Sequence, residues 1–201
     1  HYTIADPKTF GISEYEPVLP IYHSDQPEDS KEHCSDLLHR LDRIDPDRLS
    51  PENAYTYRLL HRSLENDLAL ADFPYYNEPL SPSSGMQSQL PVLLAEYTFR
   101  TKRDVTDYLA LLDQIDDYFA SLLLYEQEKA AAGFFMPACS SEKVRKQCDT
   151  IVTTEELAQG THFLQTTFED RLSELPKQGL FTPEETASLI ETNDRLLATV
   201  V

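Results

Sequence analysis

The six histidines are the side chains of this sequence best suited to bind a metal ion or to transfer protons. A His-Glu-x-x-His metallopeptidase motif places two imidazoles one helical turn apart, with the glutamate beside them to activate water. No two histidines of this chain are three or four residues apart, so the motif is absent. We therefore predict that the chain alone neither binds zinc tightly nor hydrolyses peptides. The histidines are His1, His23, His33, His39, His61 and His162.

One local cluster has the residue types of a metal site. It comprises Glu32, His33, Cys34 and His39. The two histidines are six residues apart, which places their imidazoles on different faces of a helix. We interpret the cluster as part of a helix surface.

Other polar groups also have a structural interpretation. His61 and Glu65 are one helical turn apart, a spacing that favours a surface hydrogen bond. The acidic pairs Asp116–Asp117 and Glu126–Glu128 could act in acid–base chemistry, but such pairs on amphipathic helices are typical of solvated faces. Tyrosines such as Tyr75-Tyr76 could line a ligand groove, although packing is the more common role.

Phosphate binding and serine-nucleophile chemistry also lack their motifs. The five glycines are scattered and form no phosphate-cradling loop. The segment Ser83-Ser84-Gly85 lacks the first glycine of a Gly-x-Ser-x-Gly motif. We predict no catalytic, cofactor-binding or metal-binding residue in this chain.

Three cysteines, Cys34, Cys139 and Cys148, cannot all pair within one chain, and they show no Cys-x-x-Cys spacing. Cys148 continues the helical spacing of Val144 and Ile151, which predicts that it is buried. A disulfide between Cys139 and Cys148 requires that Cys139 lie outside the helix that carries Cys148. The redox compartment stays open.

The composition is that of an acidic globular protein. The chain has 201 residues with a formal net charge of −18, and 40% of its residues are hydrophobic. Such a charge opposes binding to nucleic acid or to an anionic membrane. No stretch of 18 apolar residues occurs, so we predict no transmembrane helix.

Hydrophobic periodicity predicts an all-α fold of about seven helices. Prolines dominate the first part of the chain, and we expect an extended lead-in over residues 1–34 followed by a single helical domain over 35–201. Helix starts are predicted at Ser50, at Thr101 and at Thr182. The helix that begins after Thr101 is expected to run without a break to a glycine at position 133, and a later one to start at Ser141.

The last helix has a strong start signal and no stop signal. We expect it to continue in a longer protein, and its apolar stripe to be exposed in this chain. Exposed apolar surface favours self-association, which the negative charge opposes and salt promotes. The stripe consists of Leu189, Ile190, Leu196 and Leu197.

Several segments resemble one known family. They are Asp45-Pro46 with Leu49-Ser50, Asn77-Glu78-Pro79-Leu80-Ser81, Gly85-Met86-Gln87-Ser88, Gln89-Leu90-Pro91-Val92-Leu93-Leu94-Ala95-Glu96-Tyr97, Asp104-Val105 with Asp107-Tyr108-Leu109, and Glu128-Lys129-Ala130-Ala131-Ala132-Gly133. Together they resemble the N-terminal part of the bacterial family known as domain of unknown function 885. The resemblance covers about residues 35–201, and the block 89–97 is its most specific part.

This resemblance implies a function that the residues themselves do not show. The family is similar to mostly helical zinc metallopeptidases of the carboxypeptidase and oligopeptidase type, which have a deep cleft. Their His-Glu-x-x-His helix lies downstream of these segments, so no ligand or catalytic residue is carried over to this chain. The resemblance implies a helical portion that forms part of a substrate cleft, with a C-terminal catalytic part of the same protein and a peptide as partners. Zinc is implied for the full-length protein only.

The alternative interpretation is a stand-alone helical binding or scaffold domain of an exported lipoprotein, without hydrolytic activity. The downstream reading frame of the parent gene distinguishes the two. The family resemblance favours an exported or surface-anchored protein over a cytoplasmic one, while the substrate and oligomeric state stay open.

Overall fold

The computed structural model describes residues 14–22, 26–175 and 179–200. Regular structure within these ranges is helical throughout, which confirms the predicted all-α class. A short 3-10 helix, Pro46–Arg48, joins the first two of nine α-helices. They are α1 (Gln26–Leu41), α2 (Pro51–Leu70), α3 (Met86–Ala95), α4 (Lys102–Leu112), α5 (Ile115–Ala131), α6 (Ala138–Ile151), α7 (Thr154–Gln159), α8 (Phe163–Glu174) and α9 (Pro183–Val200).

The three predicted helix starts are confirmed by their side-chain hydrogen bonds. The side chain of Ser50 accepts a hydrogen bond from the first turn of α2. Thr101 and Asp104 form a reciprocal capping box at the start of α4. Thr182 and Glu185 do the same before α9, where the Thr182 N–H donates to Glu185 Oε2 over 2.8 Å. Each cap satisfies backbone N–H groups that have no partner within the helix.

The long helix predicted after Thr101 is instead two helices, α4 and α5. Gln114 lies at the break, and its Nε2 donates to the carbonyl of Ala110 over 2.7 Å. In a continuous helix that carbonyl would accept the backbone N–H of Gln114, which bonds to Leu111 O instead. Gln114 Oε1 accepts from the N–H of Leu19, and Nε2 also donates to Pro17 O. The side chain therefore interrupts the helix and binds the extended segment before α1.

The predicted lead-in is only partly extended. Residues 14–22 contain neither helix nor strand, as expected. Because α1 begins at Gln26, the prediction is wrong for residues 26–34. Pro27 falls in the first helical turn, where the missing N–H of proline costs no intrahelical hydrogen bond. Residues 1–13 lie outside the described part of the chain.

The chain divides into two compact units, where the sequence predicted one helical domain. Unit 1 comprises His1–Ile21, Pro79–Leu123 and Phe135–Val201, and unit 2 comprises Tyr22–Glu78 and Leu124–Phe134. The first part of α5 belongs to unit 1 and its second part to unit 2.

Unit 1 has an apolar core built mainly from α4, α8 and α9. Its most deeply buried side chains include Val105, Tyr108, Leu112, Phe168, Leu172 and Leu197. Leu196 and Leu197 of α9 are buried, so the expected exposure of the stripe is wrong for these two residues, whereas Leu189 and Ile190 are half-buried. Self-association of the chain stays a prediction.

Unit 2 is built around the α1–α2 hairpin and has a smaller core. Cys34, Leu41 and Leu64 are its buried centre, and partly buried side chains such as Tyr57 pack against them. Several large apolar side chains of α2 are exposed, namely Tyr55, Leu59, Leu60 and Leu70.

Candidate functional site

An apolar groove lies within unit 1 where α3, α5, α6 and α8 meet. Its volume is about 290 Å³. Pro91 and Leu94 come from α3, Phe119 from α5, Ile151 from α6 and Leu164 from α8. We call this feature the α3–α6 groove. It has the size and apolar lining of a site for one large side chain with adjoining backbone.

Three polar side chains also line the α3–α6 groove, namely Gln87, Asp116 and Cys148. Asp116 is exposed in the first turn of α5, and it carries the single charge among the described lining residues. Cys148 is exposed and free, so the prediction that it is buried is wrong. Partial burial of its thiol, with the charge of Asp149 beside it, raises the pKa of Cys148.

A pair of glutamines joins α3 to α6. Gln87 is buried, and its Nε2 donates to Gln147 Oε1 over 2.9 Å and to Ser81 O over 2.7 Å. Gln147 Nε2 in turn donates to Pro82 O over 3.0 Å. The two amides therefore hold the loop before α3 against α6 and set the separation of these two walls of the groove.

Gly85 makes this arrangement possible. A Cβ atom at this position would lie 2.0 Å from Gln87 Oε1 and 2.2 Å from the backbone nitrogen of Ser81. Both contacts are far shorter than van der Waals distance. A glycine is therefore required by the close approach of the loop to α3.

Arg171 joins α8 to the end of α3. Its Nη1 donates to Leu94 O over 3.0 Å and also to the carbonyl of Tyr97. The guanidinium lies over the ring of Phe99, 4.6 Å from its centroid, and over that of Tyr108 at 5.2 Å. The arginine thus binds carbonyls at the helix end while its charge lies against aromatic faces.

His162 joins α8 to the end of α6. It is 1% exposed, and its Nε2 lies 2.8 Å from the carbonyl of Ile151. Its Nδ1 accepts from the N–H of Leu164 and so caps α8. These two bonds assign the neutral tautomer with the proton on Nε2. The histidine has a structural role in fixing the wall that carries Ile151.

The position of Cys139 shows that it does not form a disulfide with Cys148. It lies within α6, nine residues before Cys148 on the same helix. Nine residues of helix rise about 13 Å, and a disulfide requires Cα atoms less than about 7 Å apart. Both thiols are free, and so is the buried Cys34. The helix begins at Ala138 rather than at the predicted Ser141.

A second polar cluster lies in unit 2. Lys129 of α5 is 1% exposed, and its Nζ lies 2.7 Å from Glu78 Oε1. The same ammonium donates to Asn77 O over 3.3 Å. The two sequence blocks 77–81 and 128–133 therefore meet at this ion pair.

Aromatic side chains surround the ion pair on the same helix. Tyr125 donates from its hydroxyl to Pro74 O over 3.1 Å, and its ring packs against those of Tyr22 and Tyr75. Burial, together with the carboxylates of Glu126 and Glu78, raises the pKa of Tyr125 to about 12.

Glu126 of α5 is half-buried, and its Oε1 is inaccessible and makes no hydrogen bond in the described part of the chain. Burial and the nearby Glu78 raise the pKa of Glu126, and Lys129 opposes that rise. The prediction of a solvated face is therefore wrong for Glu126, and for the half-buried Glu128.

The remaining predicted candidates lie on the surface. His33 and His39 are both exposed and are not brought together. His61 is 3.5 Å from Glu65, in agreement with the predicted surface contact, and it also lies 3.3 Å from Asp42. Asp116 and Asp117 are both exposed, as predicted, and so is Tyr76. Tyr75 instead packs on Phe134. His1 and His23 lie outside the described residues.

The described residues do not fit a zinc site. Across 14–22, 26–175 and 179–200, no group of three or more His, Cys, Asp or Glu side chains is placed to hold a metal ion. Both nitrogens of His61 face carboxylates on one exposed surface, and those of His162 are used within the fold. Among the same residues, no helix is both long and apolar enough to cross a membrane.

A comparison with known protein families shows to which family the chain belongs. The profile described as a bacterial protein of unknown function, DUF885, matches residues 8–200. The chain belongs to this family. The resemblance given by the short sequence blocks is thereby confirmed for DUF885. No protein among the curated ones matches.

One solved structure with a similar fold is described as "the putative lipoprotein from Colwellia psychrerythraea". It is similar to this DUF885 chain with a TM-score of 0.70 and 16% sequence identity. The match covers 92% of this chain and 32% of the solved chain. The chain therefore spans about a third of the length of that protein, and the likeness extends to the fold alone.

Proposed function

We propose that this chain is the N-terminal helical portion of a longer zinc-dependent peptidase, in which the α3–α6 groove forms part of the substrate cleft. The observation that carries the proposal is the recurrence of this fold as about a third of a longer solved chain. The similarity to zinc metallopeptidases that the family resemblance implies supports the peptidase class. The zinc ligands and the general base belong, in this proposal, to residues outside this chain.

The chain's own residues would bind and orient the substrate. The groove presents apolar side chains and one carboxylate, and Gln87, His162 and Arg171 hold its walls in place through hydrogen bonds. A wall that is fixed before binding lowers the entropic cost of positioning a ligand.

The test uses the full-length parent protein. We expect bound zinc, hydrolysis of unstructured peptides and loss of both on treatment with a chelator. Ile151→Asp, in the groove wall, should raise KM with little change in kcat, because it removes binding and not chemistry. Thr150→Asp is the matched control, since Thr150 is exposed on the same helix and outside the groove lining.

The competing function is a helical binding or scaffold domain without hydrolytic activity. A full-length protein that binds no zinc and hydrolyses no peptide would establish that alternative. Equal KM values for the wild type and Ile151→Asp would contradict the assignment of the groove to the substrate cleft.

A further inference from the structure

We infer that the α3–α6 groove binds the amino-terminal residue of a peptide whose first side chain is large and apolar. The side chain occupies the groove, and the peptide's α-ammonium pairs with Asp116. The peptide nature of the ligand rests on the proposed function. The choice of terminus and of side chain rests on the groove itself.

The lining selects an apolar side chain. Eight of the eleven described lining residues are hydrophobic or proline; seven of them come from four helices, and Val152 directly follows α6. A volume of about 290 Å³ lies at the lower end of small-molecule sites, which span roughly 300–1,000 Å³. This space suits one large side chain with the backbone next to it, and not a long peptide segment.

The charge of the groove selects the amino terminus. Asp116 is the single charged side chain among its described lining residues, and it is exposed and therefore accessible to a ligand. A peptide carboxylate would be repelled both by Asp116 and by the net charge of −18. An ammonium group is attracted by both.

Gln87, another polar side chain of the groove lining, carries no charge. Its Nε2 donates to Ser81 O and Gln147 Oε1, and its buried Oε1 makes no hydrogen bond within the described part of the chain. His162 and Arg171 bind the backbone of the adjoining helix ends. Asp116 is therefore the group left to orient a charged ligand.

The reactivity of the Cys148 thiol can be used to measure whether a ligand occupies the groove. Cys148 is exposed and lines the groove, whereas Cys34 is buried and Cys139 lies outside the groove lining. In a Cys139→Ser variant of the 201-residue chain, a thiol reagent should therefore modify Cys148 first. Bound peptide should slow that reaction.

The probe is phenylalanyl-alanine amide, which carries one positive charge and no carboxylate, and its N-acetyl form is the neutral control. We expect the free-amine peptide to protect Cys148 and to bind about fivefold more tightly than the acetylated one, as for an exposed ion pair. Asp116→Asn should abolish this preference and leave the acetylated peptide unaffected. Asp117→Asn is the matched control, because Asp117 is the adjacent exposed carboxylate of the same helical turn and does not line the groove.

Three results would overturn the inference. The first is equal binding of the two peptides, or binding of neither. The second is an equal effect of Asp116→Asn and Asp117→Asn, which would indicate general attraction to an acidic surface. The third is a Cys148 that reacts in the 201-residue chain but not in the full-length protein, which would show that the rest of the protein covers the groove.

Failure of the proposed peptidase would look different. A full-length protein that binds the free-amine peptide selectively and yet hydrolyses nothing would refute the proposed peptidase activity. The same result would support the inferred binding of an amino terminus in the groove. Zinc-dependent hydrolysis of peptides without any protection of Cys148 by the bound peptide would refute only the inference that the groove binds a peptide amino terminus.

Discussion

Unit 1 and unit 2 are stabilised by different kinds of interaction. Unit 1 buries many apolar side chains completely, among them Leu112 and Phe168, and its polar links are made by buried amides, an imidazole and the guanidinium of Arg171. Unit 2 has a smaller core around Leu64 and contains a buried lysine paired with a carboxylate. Unit 2 therefore has less apolar burial to offset the cost of its buried charge.

This difference has a physical consequence. Apolar burial responds weakly to pH, whereas a buried ion pair is stable only while both partners keep their charges. We expect changes of pH and substitutions of charge to act on unit 2 before unit 1.

The largest effect should come from matched truncations of the two cores. Leu112→Ala in unit 1, where the side chain is 0% exposed, should lower the free energy of unfolding by about 4 kcal/mol. Leu64→Ala in unit 2, where it is 6% exposed, should cost about 2 kcal/mol. Urea denaturation followed by circular dichroism measures both. Leu59→Ala is the control, because Leu59 is exposed on α2, and equal losses at Leu112 and Leu64 would refute the contrast.

The next largest effect should come from the ion pair of unit 2. Glu78→Gln leaves the buried ammonium of Lys129 without its closest counter-charge and should cost about 2–3 kcal/mol. Lys129→Met leaves the half-exposed Glu78 in contact with water and should cost about 1 kcal/mol. Asp72→Asn, which breaks the exposed pair with Lys31, should cause no measurable loss. The reverse order of Glu78→Gln and Lys129→Met would show that the ammonium is hydrated.

Glu126 should make the stability of the chain depend on pH. Burial, with Glu78 nearby, raises its pKa in the folded state, so the folded protein holds this proton more tightly than the unfolded chain. Stability should therefore fall as the pH rises from the ordinary pKa of glutamate through the raised value. Glu126→Gln should remove this fall and stabilise the protein at neutral pH, as thermal melts from pH 4 to pH 8 would measure. Glu32→Gln, at an exposed position of α1, should leave the profile unchanged.

The smallest effect concerns cysteine reactivity. In a Cys139→Ser, Cys148→Ser variant, the remaining thiol is the buried Cys34 of unit 2. We expect its labelling to begin at urea concentrations below the main loss of helical signal, because the smaller core opens first. Labelling that coincides with that loss would show that the two units unfold together.

The helix starts were predictable because each depends on residues within one turn. The capping box of Thr101 and Asp104 is such a local signal. The break between α4 and α5 was not predictable, since Gln114 binds Leu19, 95 residues away in sequence. The same limit applies to Lys129, whose burial depends on its pairing with Glu78.

The α3–α6 groove also could not be predicted from the sequence alone. Its walls are held by Gln87, His162 and Arg171, each of which bonds to a different segment of the chain. Gln87 lies within a block that had identified the family, and that block was the available signal. Cys148 was assigned to the core because periodicity shows which face of a helix is apolar, and an apolar face can line a groove as well as fill a core.

The close packing of the loop around Gly85 limits what a match to the family's sequence blocks shows about a protein. The φ of Gly85, −74°, is open to any residue, so the constraint on this position is room alone. A larger residue would displace Ser81 and the amide of Gln87, and with them the link to Gln147 on α6. A match to this block therefore shows that a sequence meets this packing requirement. A relative without the proposed catalytic groups would still meet that requirement and would still be recognised as a member.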